Sequence, residues 1–494
     1  MVSNKLSRHV FTILFIGASL ATNYSAVLAQ SFAESPPTTN TAFAPYAAAQ
    51  NSPVYANDAS LESRITSLEA TLKKKQDKPD PKKGFTRVID GRVYFDSYNV
   101  SKQSGSATNV SNLSNLTNYN GLRDLRVGVK GEGYDIFDYK IDLCFIEATG
   151  TSNNSDVTLN RSGVNLKDVW FGVKNVPLLE YVRVGHYRLE DGVSVLTGGT
   201  NTTFFEFDGR DFATGRRIGI SSRHLWAKDT IRFFAGFFYD RNIATNTRYD
   251  RNDNQGSITN FRLTFLPYAS RGTDGKIDGK KFLFFGGNYS YYDLSKDLSK
   301  KTSFTERFST LDLNSLQGLK IATNSYNKLG LEFIYQKTAF TLQSEAYANV
   351  YNSVAINGKT KDRTIWGTYI TAKYFLTGDY RKFSADNAAW GAVSLKHNLD
   401  LKKINDLNRA DWIGGLELAV KWAYTDTSDF YDSANAAQFT GGVNDITVGL
   451  NWYWSPQARW LFDYIHVMPS QQRNGLRRDH SDTDIFAASF RYNF

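Results

Sequence analysis

Cysteine is almost absent from this chain. Cys144 is the one cysteine in 494 residues, so no intrachain disulfide framework and no cysteine metal cluster can form. Long apolar runs are missing too: nothing after residue 30 is long and apolar enough for a membrane helix. Proline is scarce in the body of the chain. Six of the ten prolines precede residue 84, which marks a change of texture there. Enzyme signatures are sparse. His9, His186, His224, His397, His466 and His480 are scattered, with no i, i+4 pair. There is no nucleophile elbow, P-loop or His-Glu-x-x-His. A hydrolase keeps a place as an alternative, because triads are recognised by geometry and not by order. No helix–turn–helix, zinc-finger or RNA-binding signature accompanies the net charge of +9, which argues against nucleic acid. That charge suits an anionic surface or a small anion. No cofactor is expected.

What the chain does have is alternation. In its last strand, Phe486, Ala488, Phe490, Tyr492 and Phe494 fall on one face. Ala487, Ser489, Arg491 and Asn493 fall on the other. An aromatic-faced closing strand ending in Phe fits an outer-membrane β-barrel, which shows one face to lipid and one to a wet lumen. A half-buried edge strand is the plainer alternative. Mean hydropathy of -0.41 looks soluble. A barrel hides from hydropathy because every second strand residue faces water.

The N-terminus suggests export. Lys5, Arg8 and His9 precede the apolar run Val10 to Ala21, and Val27-Leu28-Ala29 offers a small-residue cleavage site. Residues 1–29 are therefore expected to be a signal peptide. Residues 30–58, rich in Ala, Pro, Ser and Thr, read as a disordered linker. Leu61, Ile65, Leu68 and Leu72 carry coiled-coil spacing in a short helix over 59–76. A single amphipathic helix explains that spacing equally well. Residues 77–84 form a second linker, and 85–494 form one large unit.

From Phe85 onward the pattern is strand, turn, strand, loop. Ile141, Leu143 and Phe145 alternate with Lys140, Asp142 and Cys144, which places Cys144 on the lumen side. Leu416, Leu418, Val420, Trp422 and Tyr424 alternate with Glu417, Ala419, Lys421 and Ala423. Short turns near 131–135 and 455–458 contrast with long polar stretches at 101–120, 241–257, 293–324 and 426–442. Short turns at one end and long loops at the other is the outer-membrane arrangement, with the short turns in the periplasm. At about 25 residues per strand and half its linkers, 85–494 holds roughly 16 strands. The fold class is all-β, a transmembrane antiparallel β-barrel preceded by a short periplasmic helix.

Candidate pore residues follow from the strand phase. Arg126, Lys130, Lys140, Arg183, Arg262, Lys373, Lys421 and Arg491 alternate with the apolar sets. A ring of cations in a low-dielectric channel concentrates anions. Alternatively, these cations solvate the lumen and pair with carboxylates such as Asp142 and Glu417. The stretch 188–217 is the longest between clear strands in the first half. Folded into the barrel, its charges Arg188, Glu206, Asp208, Arg210, Asp211, Arg216 and Arg217 would stand at a constriction. Left outside, it is a solvated loop.

Several segments resemble the phosphate-selective porin O and P family. Gly91-Arg92-Val93-Tyr94-Phe95-Asp96 is similar to its opening strand. Leu166 to Val173 with Val182 to His186 resembles the strand pair before its constriction loop. Phe205-Glu206 and Gly215-Arg216-Arg217-Ile218-Gly219-Ile220 resemble that loop's end. Phe340 to Glu345, Tyr369 to Asp379, Val448 to Tyr453 and the C-terminal strand complete the likeness. The resemblance implies a 16-stranded barrel in the outer-membrane lipid, homotrimeric, passing small anions such as phosphate by diffusion. Phosphate-selective members carry a dense arginine ladder. Here the loop from Arg188 to Arg217 holds four cations against five carboxylates, which leaves a general porin open. The runner-up is a structural protein that tethers the envelope through its N-terminal helix.

Overall fold

The computed structural model describes residues 84–102, 118–147, 164–240, 256–294, 302–304, 319–356, 358–403, 412–430, 441–473, 476–478 and 482–494. The expected signal peptide, linker and helix before residue 84 lie outside the described residues.

Sixteen antiparallel strands make the wall: β1 (Val88–Lys102), β2 (Tyr119–Gly133), β3 (Phe137–Glu147), β4 (Asn165–Val176), β5 (Glu180–Arg188), β6 (Arg216–Trp226), β7 (Ile231–Tyr239), β8 (Ser257–Arg271), β9 (Ile277–Asp293), β10 (Ser325–Lys337), β11 (Phe340–Ile356), β12 (Lys359–Phe375), β13 (Gly415–Asp426), β14 (Gly441–Tyr453), β15 (Ala458–Arg473) and β16 (Thr483–Asn493). Each pairs with its sequence neighbour. β16 returns to β1 with Arg92 opposite Asn493 and Lys102 opposite Thr483. Gly91 and Phe494 exchange backbone bonds of 2.9 and 3.0 Å beside that seam. The sheet therefore has no edge, and every wall strand has a partner on both sides, which hydrocarbon requires.

The alternation sorts the side chains inside out relative to a soluble protein. Ile370, Leu418 and Val420 are between 42% and 47% exposed on the outer face. Arg262, Thr371, Glu417 and Asn451 are at 1% or less on the inner face. Aromatics collect on the outer face near the C-terminus. Trp454 lies 5.5 Å from Phe490, Trp460 5.1 Å from Phe490, and Tyr492 6.1 Å from Phe494. This is the composition of an interfacial girdle.

Linker length follows the expected alternation with two exceptions. The end that holds the start of β1 and the close of β16 carries the tight turns. In two of these, Tyr134, Asp135, Ala227, Lys228 and Asp229 all take positive φ. The first turn begins after Gly133, so β2 runs further than the 131–135 turn read from the sequence. Against the pattern, 376–414 is a long connection at this short-turn end. At the other end, β11 and β12 are joined through Gly358 almost at once.

Candidate functional site

Two connections fold into the barrel. The first runs from Leu189 to Gly215, between β5 and β6. Gly192 (φ 145°) passes under Tyr347, where an added Cβ would sit 2.9 Å from the phenol oxygen. A one-turn helix, α1 (Val193–Leu196), follows. Its free amides are met from the wall: Val193 N donates to Glu332 (3.0 Å) and Ser194 N to Glu345 (3.1 Å). Carboxylates suit an amide cluster of this kind. The chain then crosses to the opposite wall. Arg491 on β16 donates to Gly199 O (2.8 Å), Thr202 Oγ1 (2.6 Å) and Phe205 O (2.5 Å). Asn451 donates to Thr203 O (2.9 Å), and Phe205 N donates to Asp463 (2.6 Å). On its return Phe212 stacks on Tyr347 at 5.3 Å, and Lys328 pairs with Asp191 at 2.9 Å. A loop inside a barrel exchanges water for wall partners, and these inward polar side chains satisfy its buried backbone.

The second inward segment belongs to the long connection at the short-turn end. Tyr380–Ser384 pairs with Ala389–Ser394 in a small hairpin. Phe383 packs on Phe282 (4.7 Å) and Phe284 (5.2 Å). Trp390 Nε1 donates to Gln343 (2.8 Å). Arg381 grips Glu417 with Nε (2.8 Å) and Nη2 (2.6 Å), and its Nη1 reaches Asn201 O at 2.6 Å. Hairpin and loop therefore meet inside the barrel. Sequence reasoning missed this hairpin. Its signal was an aromatic and alanine set, Phe383, Ala385, Ala388, Ala389 and Trp390, inside an apparent linker.

The cations read from the strand phase all stand on the inner face, and many carry partners. Arg262 grips Glu332 (2.9 and 2.6 Å). Lys140 lies 3.6 Å from Asp142, and Lys130 2.7 Å from Asp90. Lys421 reaches Asp445 (3.1 Å) and Asp208 (3.8 Å). Arg126 reaches Asp124 (2.7 Å), which also takes Arg92 (2.6 Å). Of the named carboxylates, Asp142 takes Lys140, but Glu417 takes Arg381 and not a wall lysine. Arg183 stacks on Trp170, and Lys373 donates to Gln343 (2.8 Å). Cys144 faces inward and is 1% exposed.

Most of the loop charges are likewise matched. Glu206 takes Arg210 (2.9 Å) and Arg123. Arg216 reaches out of the loop to Asp168 (2.9 and 3.0 Å), and Arg217 to Asp240 (3.1 Å). Asp211 sits in a 3-10 turn, Arg210–Phe212. Arg188 holds the loop itself, donating to Val195 O (2.5 Å) and Thr197 O (3.3 Å). Burial pushes the Asp208 carboxyl above the ordinary range, with Lys421 and Lys373 opposing. Burial acts the same way on Glu190, but Arg232 and Arg262 overcome it and hold that carboxyl below the ordinary range.

A closed barrel with an apolar outside, a charged inside and loops folded inward is an outer-membrane channel. The model of the family described as phosphate-selective porin O and P matches residues 91–494, and the chain belongs to that family. It is a porin, and the family and fold are those of channels rather than enzymes. No curated protein matches it in sequence. Among solved structures it is similar to OmpT of Vibrio cholerae in a trimer form (10% identity, TM-score 0.46, covering 83% of this chain and 100% of that one). It is also similar to the channel DcaP of Acinetobacter baumannii (11%, 0.45, covering 83% and 98%). A third is the anion-selective porin from Comamonas acidovorans (12%, 0.45, covering 83% and 100%). These likenesses are too distant to carry any detail of this pore.

Proposed function

We propose that this porin passes small anions by passive diffusion, with phosphate among the candidates. The supporting observation is the imbalance of unpaired charge. Arg183, Arg188, Arg223, Arg363, Lys373, Arg459 and Arg491 form no ion pair with the described residues, against Asp138, Glu345, Asp379 and Asp463 on the other side. Matched pairs largely cancel within a few ångströms, so the unmatched cations set the sign of the field a solute meets. Arg188, Arg210, Arg216 and Arg217 with Glu206, Asp208 and Asp211 are proposed to border the narrow zone. Arg126, Lys130, Lys140, Arg183, Arg262, Lys373 and Lys421 are proposed to line its wall. Arg216 and Arg217 carry carboxylate partners and contribute less to selectivity than their number suggests. The working unit is proposed to be a homotrimer, with the short turns in the periplasm.

Planar-bilayer recording under a KCl gradient tests the reading. The reversal potential is expected to report chloride preference, larger at low salt than at high salt. Neutralising Lys373 and Arg459 together is expected to move it towards cations further than neutralising Arg216 and Arg217. A cation-selective wild type would sink the proposal.

A further inference from the structure

We propose that Trp170, Tyr181, Arg183 and Arg223 form a docking site for organic anions that carry a carboxylate on a planar apolar body. The proposal rests on the anion-passing reading above and narrows it to a class of solute.

Four inward side chains from β4, β5 and β6 stack in a column. Arg223 lies over the Tyr181 ring at 4.6 Å. Arg183 lies over Tyr181 at 5.3 Å, over Tyr187 at 5.3 Å and over Trp170 at 4.1 Å. Guanidinium and ring thus alternate, each cation held by aromatic faces.

This differs from the inward arginines that clasp a carboxylate. Arg216, Arg262 and Arg381 each spend the Nε and Nη2 edge on one carboxylate, at 2.6 to 3.0 Å. Arg183 gives Nε to the Tyr181 hydroxyl (3.1 Å), and its Nη groups donate to nothing among the described residues. Arg223 donates to Asp386 O (3.0 Å) and Asn387 Oδ1 (3.4 Å), and to no carboxylate. Asp138, at the foot of the column, accepts from the Tyr181 hydroxyl at 2.9 Å. The cross-strand neighbours of Arg183 are Gly172 and Ser221, and the space left beside Gly172 holds the Tyr181 hydroxyl and Asp138.

A planar fork with open donors takes two oxygens of a carboxylate by parallel bonds. Inorganic phosphate satisfies the same fork. The adjoining rings add nothing for phosphate or acetate. They add edge or face contact for a solute whose carboxylate sits on a flat apolar body. The site therefore favours an aromatic carboxylate over a compact anion.

The experiment uses the full chain in planar bilayers. Benzoate, acetate and inorganic phosphate are added in turn to KCl, and the fall in single-channel chloride current is read. Benzoate is expected to halve the current at a concentration roughly 3- to 10-fold below that of acetate or phosphate. Trp170→Leu keeps apolar volume, removes the ring and is expected to close that gap. If that variant fails to form a barrel, Arg183→Lys keeps charge without the fork and is expected to close it as well. Equal potency of the three anions on the wild type overturns the site, as does a gap that survives in the folded variant. Chloride preference in KCl without a benzoate gap overturns this site and leaves the anion reading standing. Cation preference in KCl removes both.

Discussion

Arg491 is the wall residue whose loss should loosen the inward loop most directly. It sits fully inside on β16 and donates to Gly199 O, Thr202 Oγ1 and Phe205 O. Bonds from a charged donor each contribute roughly 1.5–3 kcal/mol net. Glutamine keeps one of them, so Arg491→Gln forfeits about two, roughly 3–6 kcal/mol. Two effects reduce that figure. Arg459 lies directly opposite Arg491 across the β15–β16 pair, and removing one of two like charges relieves repulsion. Lumen water also replaces part of the lost bonding. A net of about 2–4 kcal/mol remains, which is roughly a 30- to 1,000-fold rise in the detached fraction of 199–205 at 1.36 kcal/mol per decade. Glu332, Glu345 and Lys328 still anchor the other half of the loop, so the barrel should assemble. Single-channel traces are expected to gain rapid current noise, and protease added to the folded protein should cut within 199–205 faster. Unchanged noise together with an unchanged cutting rate would show that these three bonds do not hold the loop.

Four further outcomes are expected. Asp208, whose carboxyl is raised by burial, should take up its proton at a higher pH than an ordinary aspartate. Anion preference should then strengthen on acidification, and Asp208→Asn should flatten that profile; a wild-type reversal potential independent of pH counts against it. Glu190 is depressed, so its contribution to stability is full above its unfolded pKa and is lost only as pH falls through the lower folded value. Glu190→Gln should therefore destabilise the protein at neutral pH and much less in strong acid, read by thermal unfolding at both. Trp390→Ala empties a buried ring between Phe282 and Phe383, a loss of roughly 3–5 kcal/mol in the hairpin's packing. Single-channel conductance should rise while the barrel stays resistant to SDS, and an unchanged conductance would remove the hairpin from the pore. Finally, in a Cys144→Ser background, an impermeant maleimide on intact cells should label Lys359→Cys and spare Gln457→Cys; the reverse result inverts the topology.

The sequence by itself determined the wall. Period-two alternation fixes which side chains face lipid, since a one-residue slip would turn every apolar residue inward. That is why Arg126, Lys140, Arg262, Lys373, Lys421 and Arg491 could be placed on the inner face from pattern alone, and why the strand number followed from length. Cys144 shows where this stops. Its side of the strand was legible, but its near-complete burial was not, because burial depends on what else fills the barrel. Only the tertiary structure decided that filling. The 376–414 connection looks like a linker, and its turn inward rests on the contacts Phe383–Phe282, Trp390–Gln343 and Arg381–Glu417, which span 101, 47 and 36 residues and are invisible to local pattern. The loop charges behaved likewise. Arg216 and Arg217 read as a cationic cluster, yet they diverge to Asp168 and Asp240 on opposite sides. Neighbours in sequence share a segment, but electrostatics is set by neighbours in space, and closing the barrel brings those together.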